Sequence, residues 1–375
     1  MTPDVLEDDS PTDTASLRIS HPQRIQAFMP EVVDVAAKFL GREWPKWEAG
    51  LRDTSRVLPD LFHEFVTLKQ WPKSTELADL SQSTPDASDQ GGSLGMLAYI
   101  RHRLNQSPHF LLTDELVALL EHTDISDDIP VSMLTVPFPN QFLEFGSTRT
   151  CGVSVPHAAS GLHVLEGVYI ERGRHTVEGE MLQVLLIGSP LGKSNTNDDA
   201  TLSIALRLSD PSAQLADALQ DAFNHAKAAA HHWGHRMAPD YFIEHSLEAL
   251  KLVCKALLYI GLPGTRRELQ LTRTNLLTQR EGLKSPAKRG KLDRRLAKAL
   301  DYVVIKPQPE HGNASSELGN DVRRGGVKAH WRRGHYRLQP VGPQLVDRRL
   351  VYLQPTLVSA SMANDPVMPE NYLVR

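Results

Sequence analysis

The sequence predicts an α+β fold, with a helical N-terminal region, an antiparallel sheet covered by two long helices, and a basic C-terminal segment that contains a β-hairpin. Three observations support this prediction. Helical periodicity recurs in the first 125 residues, short runs rich in Leu and β-branched residues occupy residues 130–209, and two long periodic segments follow. We therefore divide the chain into a disordered acidic tail at 1–20, a helical region at 21–125, an α+β core at 126–264, a basic helical connector at 265–320 and a basic hairpin segment at 321–375.

Helices dominate the predicted N-terminal region. The first 20 residues are acidic and rich in Pro, Ser and Thr, which predicts disorder. The run EVVDVAAKFLG, which ends at Gly41, and the run DLFHEFVTLKQW both show helical spacing. Residues 81–93 contain no apolar side chain except Ala87 and predict a flexible loop. Beyond this loop, Thr113 is placed to cap the helix TDELVALLEH.

Five short runs predict the strands of the sheet: VSMLTVPFP, QFLEF, LHVLEGVYIE, MLQVLLI and TLSIALRLS. Gly, Pro or Asn clusters separate them, and RGRHTVEGE after Glu171 predicts a long hairpin between two of them. Two helices are expected to cover one face of this sheet. The first is predicted to begin with Asp210 as its cap and Pro211 as its first helical residue, and the second to run from Asp240 to Ile260.

Charge is distributed unevenly along the chain. Residues 265–349 hold 20 Lys and Arg against 8 Asp and Glu, a net charge of +12, whereas the rest holds 21 against 37, a net charge of −16. A basic block beside an acidic body is typical of a phosphate-binding surface, because Lys and Arg displace the counterions of nucleic acid. The alternative is a solvated charged face. Within the block, Leu292, Leu296 and Leu300 predict a helix, and RRLVYLQPTLV predicts a terminal β-hairpin.

Composition argues against a membrane or disulfide-bonded protein. No segment approaches the roughly 18 apolar residues of a membrane span, and the acidic start is unlike a signal peptide, so we expect the protein to stay inside the cell. Cys151 and Cys254 belong to no CxxC motif and predict buried small side chains rather than a disulfide or zinc site.

Two strings that resemble ligand sites fail on spacing. GSPLGKS, at residues 188–194, has three residues between its glycines, one of them Pro190, where a phosphate-binding loop has four. His231 and His235 stand four residues apart, but no carboxylate or cysteine is placed nearby to complete a metal site. We therefore expect neither a cofactor nor a metal.

The string HWRRGHYR, at residues 330–337, is the most unusual in the chain. Arginine binds phosphate through two parallel hydrogen bonds, aromatic rings offer bases a stacking surface, and Gly334 would let a backbone come close. We predict a nucleic-acid-binding site, most directly for RNA, and favour binding over catalysis. The predicted residues are Arg323, Arg324, Lys328, His330, Trp331, Arg332, Arg333, Gly334, His335, Tyr336, Arg337, Arg348 and Arg349.

The same segment carries a resemblance to a known family. KAHWRRGHYR followed by RRLVYLQPTLV resembles the C-terminal signature of plasmid- and phage-borne proteins that include a type V-A anti-CRISPR protein. DDIPVSMLTVPFP and LLYIGLPGTRREL are similar to the start of that family's sheet and to the end of its long helix. Arg332, Arg333, Gly334, His335 and Tyr336 match the signature, whereas a second His would be expected at the position after them.

The resemblance implies a non-enzymatic repressor in the cytoplasm of a bacterial host. Such a protein recognises the nascent polypeptide of a host defence nuclease and promotes loss of its messenger RNA. The basic C-terminal part would then contact RNA or the ribosome, and the acidic body would hold the polypeptide.

Three alternatives stay open. In the first, the chain is a metal-independent ribonuclease in which His330 or His335 transfers protons while Arg332 and Arg333 hold the phosphate. In the second, it has a structural or DNA-packaging role, which predicts tight duplex DNA binding with steep salt dependence. In the third, the basic residues brace the hairpin against the acidic body through internal ion pairs.

Overall fold

The computed structural model confirms the predicted α+β class: a helical N-terminal region precedes a large, mostly antiparallel sheet. The structure describes residues 20–61, 87–147, 151–157, 161–189, 199–232, 239–296, 299–308 and 330–358. The predicted tail before Ser20 and most of the DLFHEFVTLKQW run lie outside these residues. Within the described ranges, no helix is long and apolar enough to cross a membrane.

The described part of the N-terminal region contains five α-helices. They are α1 (His21–Phe28), α2 (Val32–Leu40), α3 (Trp44–Arg52), α4 (Ala87–Leu104) and α5 (Asp114–Glu121). Helix α2 ends at Gly41 as predicted. The predicted cap of α5 is also confirmed, because the Thr113 hydroxyl accepts the backbone N–H of Leu116 at 3.4 Å. Local sequence signals therefore suffice for these two helix ends.

The flexible loop predicted at residues 81–93 is wrong in its second half, since residues 87–93 form the first turns of α4. Gly91 and Gly92 disfavour a helix locally. Farther along α4, Leu97 and Ile100 are buried in the core, at 1% and 2% exposure. Tertiary packing of this kind supplies most of the stability of a helix in a protein, and it outweighs the local preference here.

The central sheet has eight strands. They are β1 (His109–Leu112), β3 (Asn140–Phe145), β4 (Ser154–His157), β5 (Gly161–His175), β6 (Gly179–Ser189), β7 (Ala200–Arg207), β8 (Arg266–Gln270) and β9 (Tyr302–Lys306), and β2 (Thr123–Ile125) lies outside this sheet. The strand order is β7-β6-β5-β3-β1-β9-β8, with β4 paired to β5. Strand β1 runs parallel to β3 and β9, and the other pairs are antiparallel. Four of the five predicted strands are confirmed.

The strand predicted from VSMLTVPFP is wrong. Val131–Met133 forms a 3-10 turn, and the residues after it are irregular. The N–H groups of Val131 and Ser132 donate to the carbonyls of Ala213 and Pro211, so they are used away from the sheet. Prolines at 137 and 139 have no N–H to contribute to a ladder, which explains why the apolar run does not pair.

Two long helices follow the antiparallel strands: α6 (Leu215–His232) and α7 (Pro239–Ile260). The predicted extent of α7 is confirmed, but the predicted start of α6 at Asp210 and Pro211 is wrong. The Asp210 carboxylate accepts the N–H and the hydroxyl of Ser212, at 2.9 and 2.6 Å, and forms a local turn instead of a helix cap. This use of Asp competes with helix initiation and delays the start of α6 to Leu215.

Both faces of the sheet are covered, and the two faces differ in polarity. On one face, α5, α6 and α7 pack against strand residues such as Leu143 and Val168. On the other face, α1, α3 and α4 pack against Phe142, Tyr169 and Leu185. Cys254 is buried in α7 and Cys151 beside the same core, as predicted.

The face under the N-terminal helices contains buried charges. The Arg24 guanidinium of α1 donates to Glu166 and to Asp199, both at 2.7 Å, and all three side chains are almost fully buried. A second pair joins Arg101 of α4 to Glu171 at 3.0 Å. Since buried charges require partners, these pairs hold the N-terminal helices in one position on the sheet.

The buried His102, also on this face, is expected to make the stability of the protein sensitive to acid. Its ring lies edge-on to Phe142 and Tyr169, and burial, with His109 and Arg103, lowers its pKa to about 3. In the unfolded chain the His102 imidazole has an ordinary pKa near 6.5, so it binds a proton at a pH where the folded protein does not. The free energy of unfolding therefore falls as the pH drops below about 6.5, by up to about 1.4 kcal/mol per pH unit. Burial, and then Arg24, lowers the pKa of His21 in the same direction.

We expect His102→Gln to have a shallower dependence of unfolding free energy on pH than the wild type between pH 6 and pH 4. Denaturant titrations at several pH values would measure both slopes. Identical slopes would show that the buried imidazole is protonated without unfolding.

Candidate nucleic-acid interface

The predicted C-terminal β-hairpin is confirmed. Strands β11 (Gly334–Val341) and β12 (Asp347–Leu353) pair antiparallel, and β2 adds to β11 as a parallel third strand. Strand β10 (His330–Arg332) pairs with β13 (Thr356–Val358) beside it. We call β11 and β12, residues 334–353, the C-terminal hairpin.

The inner face of the C-terminal hairpin is attached to the body by tyrosines. Tyr336 lies opposite Tyr352 in the ladder, with ring centroids 5.0 Å apart, and Tyr352 meets Tyr259 of α7 edge-on at 5.4 Å. The Tyr336 hydroxyl donates to the backbone carbonyl of Lys255 at 2.8 Å. Burial raises the pKa of Tyr352 to about 12 and that of Tyr336 well above its ordinary value.

Two residues predicted to contact nucleic acid are instead packed inside. Tyr336 is fully buried, so it offers no ring face to a base. Gly334 is buried beside β2, where an added Cβ would lie 2.7 Å from Pro355 and 2.8 Å from Thr123. This glycine therefore allows close packing of protein strands rather than the approach of a ligand. Both roles are corrected: these residues position the C-terminal hairpin.

The outer face of the C-terminal hairpin carries the exposed cations. Along β11, every second side chain points to this outer face: His335, Arg337 and Gln339. The strand register places Arg349 of β12 opposite Gln339, so Arg349 lies on the same face. Arg337 and Arg349 are therefore diagonal neighbours on one surface. Both are exposed, and neither forms an ion pair with any residue that the structure describes. This face is free to meet an anion.

Arg333 and Arg348 have internal contacts. Arg333 lies between β10 and β11 and forms a partly exposed ion pair with Asp124 of β2 at 3.2 Å. Arg348 lies near the tip and donates to the Leu345 carbonyl at 3.3 Å. The Arg333 pair is the kind of bracing contact foreseen as an alternative to binding, and it accounts for one of the predicted cations.

Several predicted residues cannot be placed. Arg323, Arg324 and Lys328 lie outside the described residues, and for His330, Trp331 and Arg332 the structure describes the backbone of β10 only. His335 is half-buried on the outer face. The ribonuclease alternative, which needs His330 or His335 near a phosphate, therefore stays a hypothesis.

A second basic surface was not among the predicted site residues. Helices α8 (Thr272–Glu281) and α9 (Pro286–Leu296) form what we call the helical hairpin, residues 272–296, next to edge strand β8. Leu292 and Leu296 are buried as predicted, and Leu300 is buried beyond the end of α9. The uneven charge distribution was the signal for this surface, because residues 265–349 include it.

The two sequence strings that resemble ligand sites, at residues 188–194 and at His231 and His235, lie mostly outside the described residues. Residues 190–198 and His235 are among those not described, and the side chain of His231 is likewise not described. Among the side chains that are described, no group of three His, Cys, Asp or Glu is arranged to hold a metal ion.

The sequence matches the model of a known protein family. A family model described as AcrVA2-like, the anti-CRISPR type V subtype A2 family, matches residues 110–360. The matched range begins within β1 and includes the central sheet, α5 to α9 and the C-terminal hairpin. No curated protein and no solved structure matches the chain.

Proposed function

Because this chain belongs to the AcrVA2-like anti-CRISPR family, we propose that it lowers expression of a host defence nuclease by a two-part contact. The outer face of the C-terminal hairpin binds RNA or the ribosome. The acidic body binds the nascent polypeptide of the nuclease. The protein acts as a regulator without a catalytic step of its own.

One observation supports the RNA contact above the others. The C-terminal hairpin has an inner face fixed by the buried Tyr336 and an outer face on which Arg337 and Arg349 are exposed and free of internal ion pairs among the described residues. A rigid backbone that presents arginines in register suits phosphate groups, because the planar guanidinium donates two parallel hydrogen bonds. The family membership supports the choice of a defence protein as the target.

The proposal predicts a loss of RNA contact in the variant Arg337→Gln/Arg349→Gln. We expect crosslinking and pull-down of the tagged wild-type protein from host cells to recover ribosomes and one enriched messenger RNA, and the variant to lose both. With purified protein, the slope of the logarithm of the RNA-binding constant against the logarithm of salt concentration should also be smaller in magnitude for the variant, by about one to two for the two phosphate contacts removed.

The matched control is Lys38→Gln/Arg42→Gln, which removes the same charge from exposed positions around the end of α2. Equal RNA recovery from wild type and the hairpin variant would contradict the RNA contact. Shortened RNA after incubation with pure wild type, but not with His335→Ala, would favour the ribonuclease alternative instead.

A further inference from the structure

The helical hairpin is held firmly to the body. The Asp301 carboxylate accepts the N–H groups of Arg273 and Thr274, at 2.8 and 3.1 Å, at the start of α8. The Gln26 amide of α1 donates to the carbonyls of Leu296 and Ala299, at 3.2 and 3.1 Å. The helical hairpin therefore presents its surface in a defined direction.

This small unit carries far more positive than negative charge. Its 25 residues include eight Lys and Arg against Glu281 and Asp293, and Asp293 is already paired with Arg280. On α9, Lys288, Lys291 and Arg295 are all exposed and recur at positions i, i+3 and i+7. At 1.5 Å per residue they form one basic stripe about 10 Å long.

Contacts within the described parts of the protein do not explain why these three cations share one face of α9. None of Lys288, Lys291 and Arg295 has an acidic partner within the described parts of the chain. Like charges at helical spacing repel one another, by roughly 0.2–0.5 kcal/mol per pair, so the arrangement weakens the isolated helix. Gly290, in the middle of α9, weakens it further, and an added Cβ there would meet nothing within 4 Å. Neither feature serves packing.

We propose that this stripe is a second binding surface for the phosphate backbone of RNA. Lys and Arg side chains on one exposed face of α9 hold phosphate oxygens. No aromatic residue occurs in residues 272–296, so the stripe binds phosphates without stacking on bases. The proposal rests on the RNA contact proposed for the C-terminal hairpin.

The position of the stripe fits an extended RNA. Helix α8 begins where edge strand β8 ends, and Arg266 at the other end of β8 pairs with Lys306. Close to Lys306, Gln354 after the C-terminal hairpin donates to the Gln308 carbonyl at 3.1 Å. The helical hairpin and the segment just after the C-terminal hairpin therefore adjoin opposite ends of β8, and the exposed Arg266 and Arg267 lie at the latter end.

An acidic protein partner fits this surface less well. Protein interfaces depend on a few large apolar or aromatic residues that are buried at the centre of the contact. The stripe itself offers only Lys288, Lys291 and Arg295, with Arg294 exposed beside them. Such a surface suits a chain of regularly spaced phosphates, whose binding is mainly electrostatic.

The test compares three full-length proteins in fluorescence anisotropy with a labelled single-stranded RNA of about 24 nucleotides. The stripe variant is Lys288→Gln/Lys291→Gln/Arg295→Gln, and Gln retains a helix propensity close to that of Lys and Arg. The matched control, Lys38→Gln/Arg42→Gln/Lys46→Gln, removes the same charge from exposed positions on the N-terminal helices. Circular dichroism checks that each protein is folded.

We expect the stripe variant to bind at least about tenfold more weakly at 100 mM salt. The slope of the logarithm of its binding constant against the logarithm of salt concentration should fall in magnitude by about two to three. The control should bind like the wild type. Unchanged binding by the stripe variant, or equal loss in the control, would overturn the stripe proposal. The variant Arg337→Gln/Arg349→Gln, measured alongside, decides separately whether the C-terminal hairpin binds RNA.

A second labelled ligand, an acidic peptide, distinguishes an RNA-binding surface from one that binds an acidic protein. If a labelled polyglutamate peptide binds the wild type and loses affinity in the stripe variant, while RNA binding stays the same, the surface serves an acidic polypeptide and the proposal is wrong. If polyglutamate does not bind and RNA affinity falls as expected, the assignment to phosphate is supported.

Discussion

Arg24→Ala is expected to lower the free energy of unfolding by about 3–5 kcal/mol, because it removes a cation that two buried carboxylates share. Glu166 is fully buried and Asp199 nearly so, and Arg24 donates to both at 2.7 Å. Burial alone lowers the pKa of Arg24, but Glu166 and Asp199 outweigh it and raise that pKa, so the guanidinium stays charged. Denaturant unfolding at pH 7 would measure the loss.

The control for this prediction is an exposed ion pair. Lys251 and Glu248 are 2.8 Å apart on the surface of α7, and Lys251→Ala should cost less than about 1 kcal/mol. A cost below 1 kcal/mol for Arg24→Ala as well would mean that water reaches Glu166 and Asp199 once the arginine is gone. In that case α1 is not held in place by these charges.

Tyr336→Ala is expected to destabilise the protein by about 3–5 kcal/mol, the usual cost of removing a buried aromatic ring. Its ring fills the space between β11, Tyr352 and α7, and its hydroxyl bonds to the Lys255 carbonyl. Tyr336→Phe keeps the ring and loses only the hydrogen bond, so we expect a cost of about 1 kcal/mol. Thermal or denaturant unfolding of both variants gives the comparison.

The Tyr336→Phe variant also tests whether the Tyr336 hydroxyl contacts RNA. RNA binding should be the same for Tyr336→Phe and wild type, since this hydroxyl is already bound to the Lys255 carbonyl inside the protein. The exposed neighbour Arg337→Ala should show the opposite pattern, with little change in stability and weaker RNA binding. If Tyr336→Ala were as stable as the wild type, the inner face of the C-terminal hairpin would not be the attachment that the structure indicates.

Much of the fold could be predicted because some segments carry strong local signals. The strands β5 and β6 are long apolar runs, and α7 repeats its apolar residues over 22 positions. Strand β1 has only four residues between helical segments, and β8 reads RRELQ, so neither shows a clear period. Their place in the sheet comes from pairing with distant strands, which local patterns do not contain.

The candidate site was predictable in composition but not in orientation. Charge counts located the basic segment, yet they could not show that Tyr336 faces the core while Arg337 faces outward. The alternation that decides this depends on which side of β11 is covered, and α7 covers it through residues such as Lys255, 81 residues away in sequence. The basic stripe of α9 was not among the predicted site residues, because Lys and Arg at helical spacing are as typical of a solvated helix face as of a binding surface.

The place of β1 in the sheet affects when the protein becomes active during its own synthesis. Strand β1 has hydrogen-bonded neighbours on both sides only after β9 pairs with it, for example through Phe110 and Val303. Strand β11 likewise pairs with β2, which lies far away in sequence. Contacts between such distant residues form slowly and only after both segments have left the ribosome. An incomplete chain would expose the open side of β1, a strand edge that readily joins other strands. Both basic surfaces therefore reach their positions only after β9 and β11 have been made.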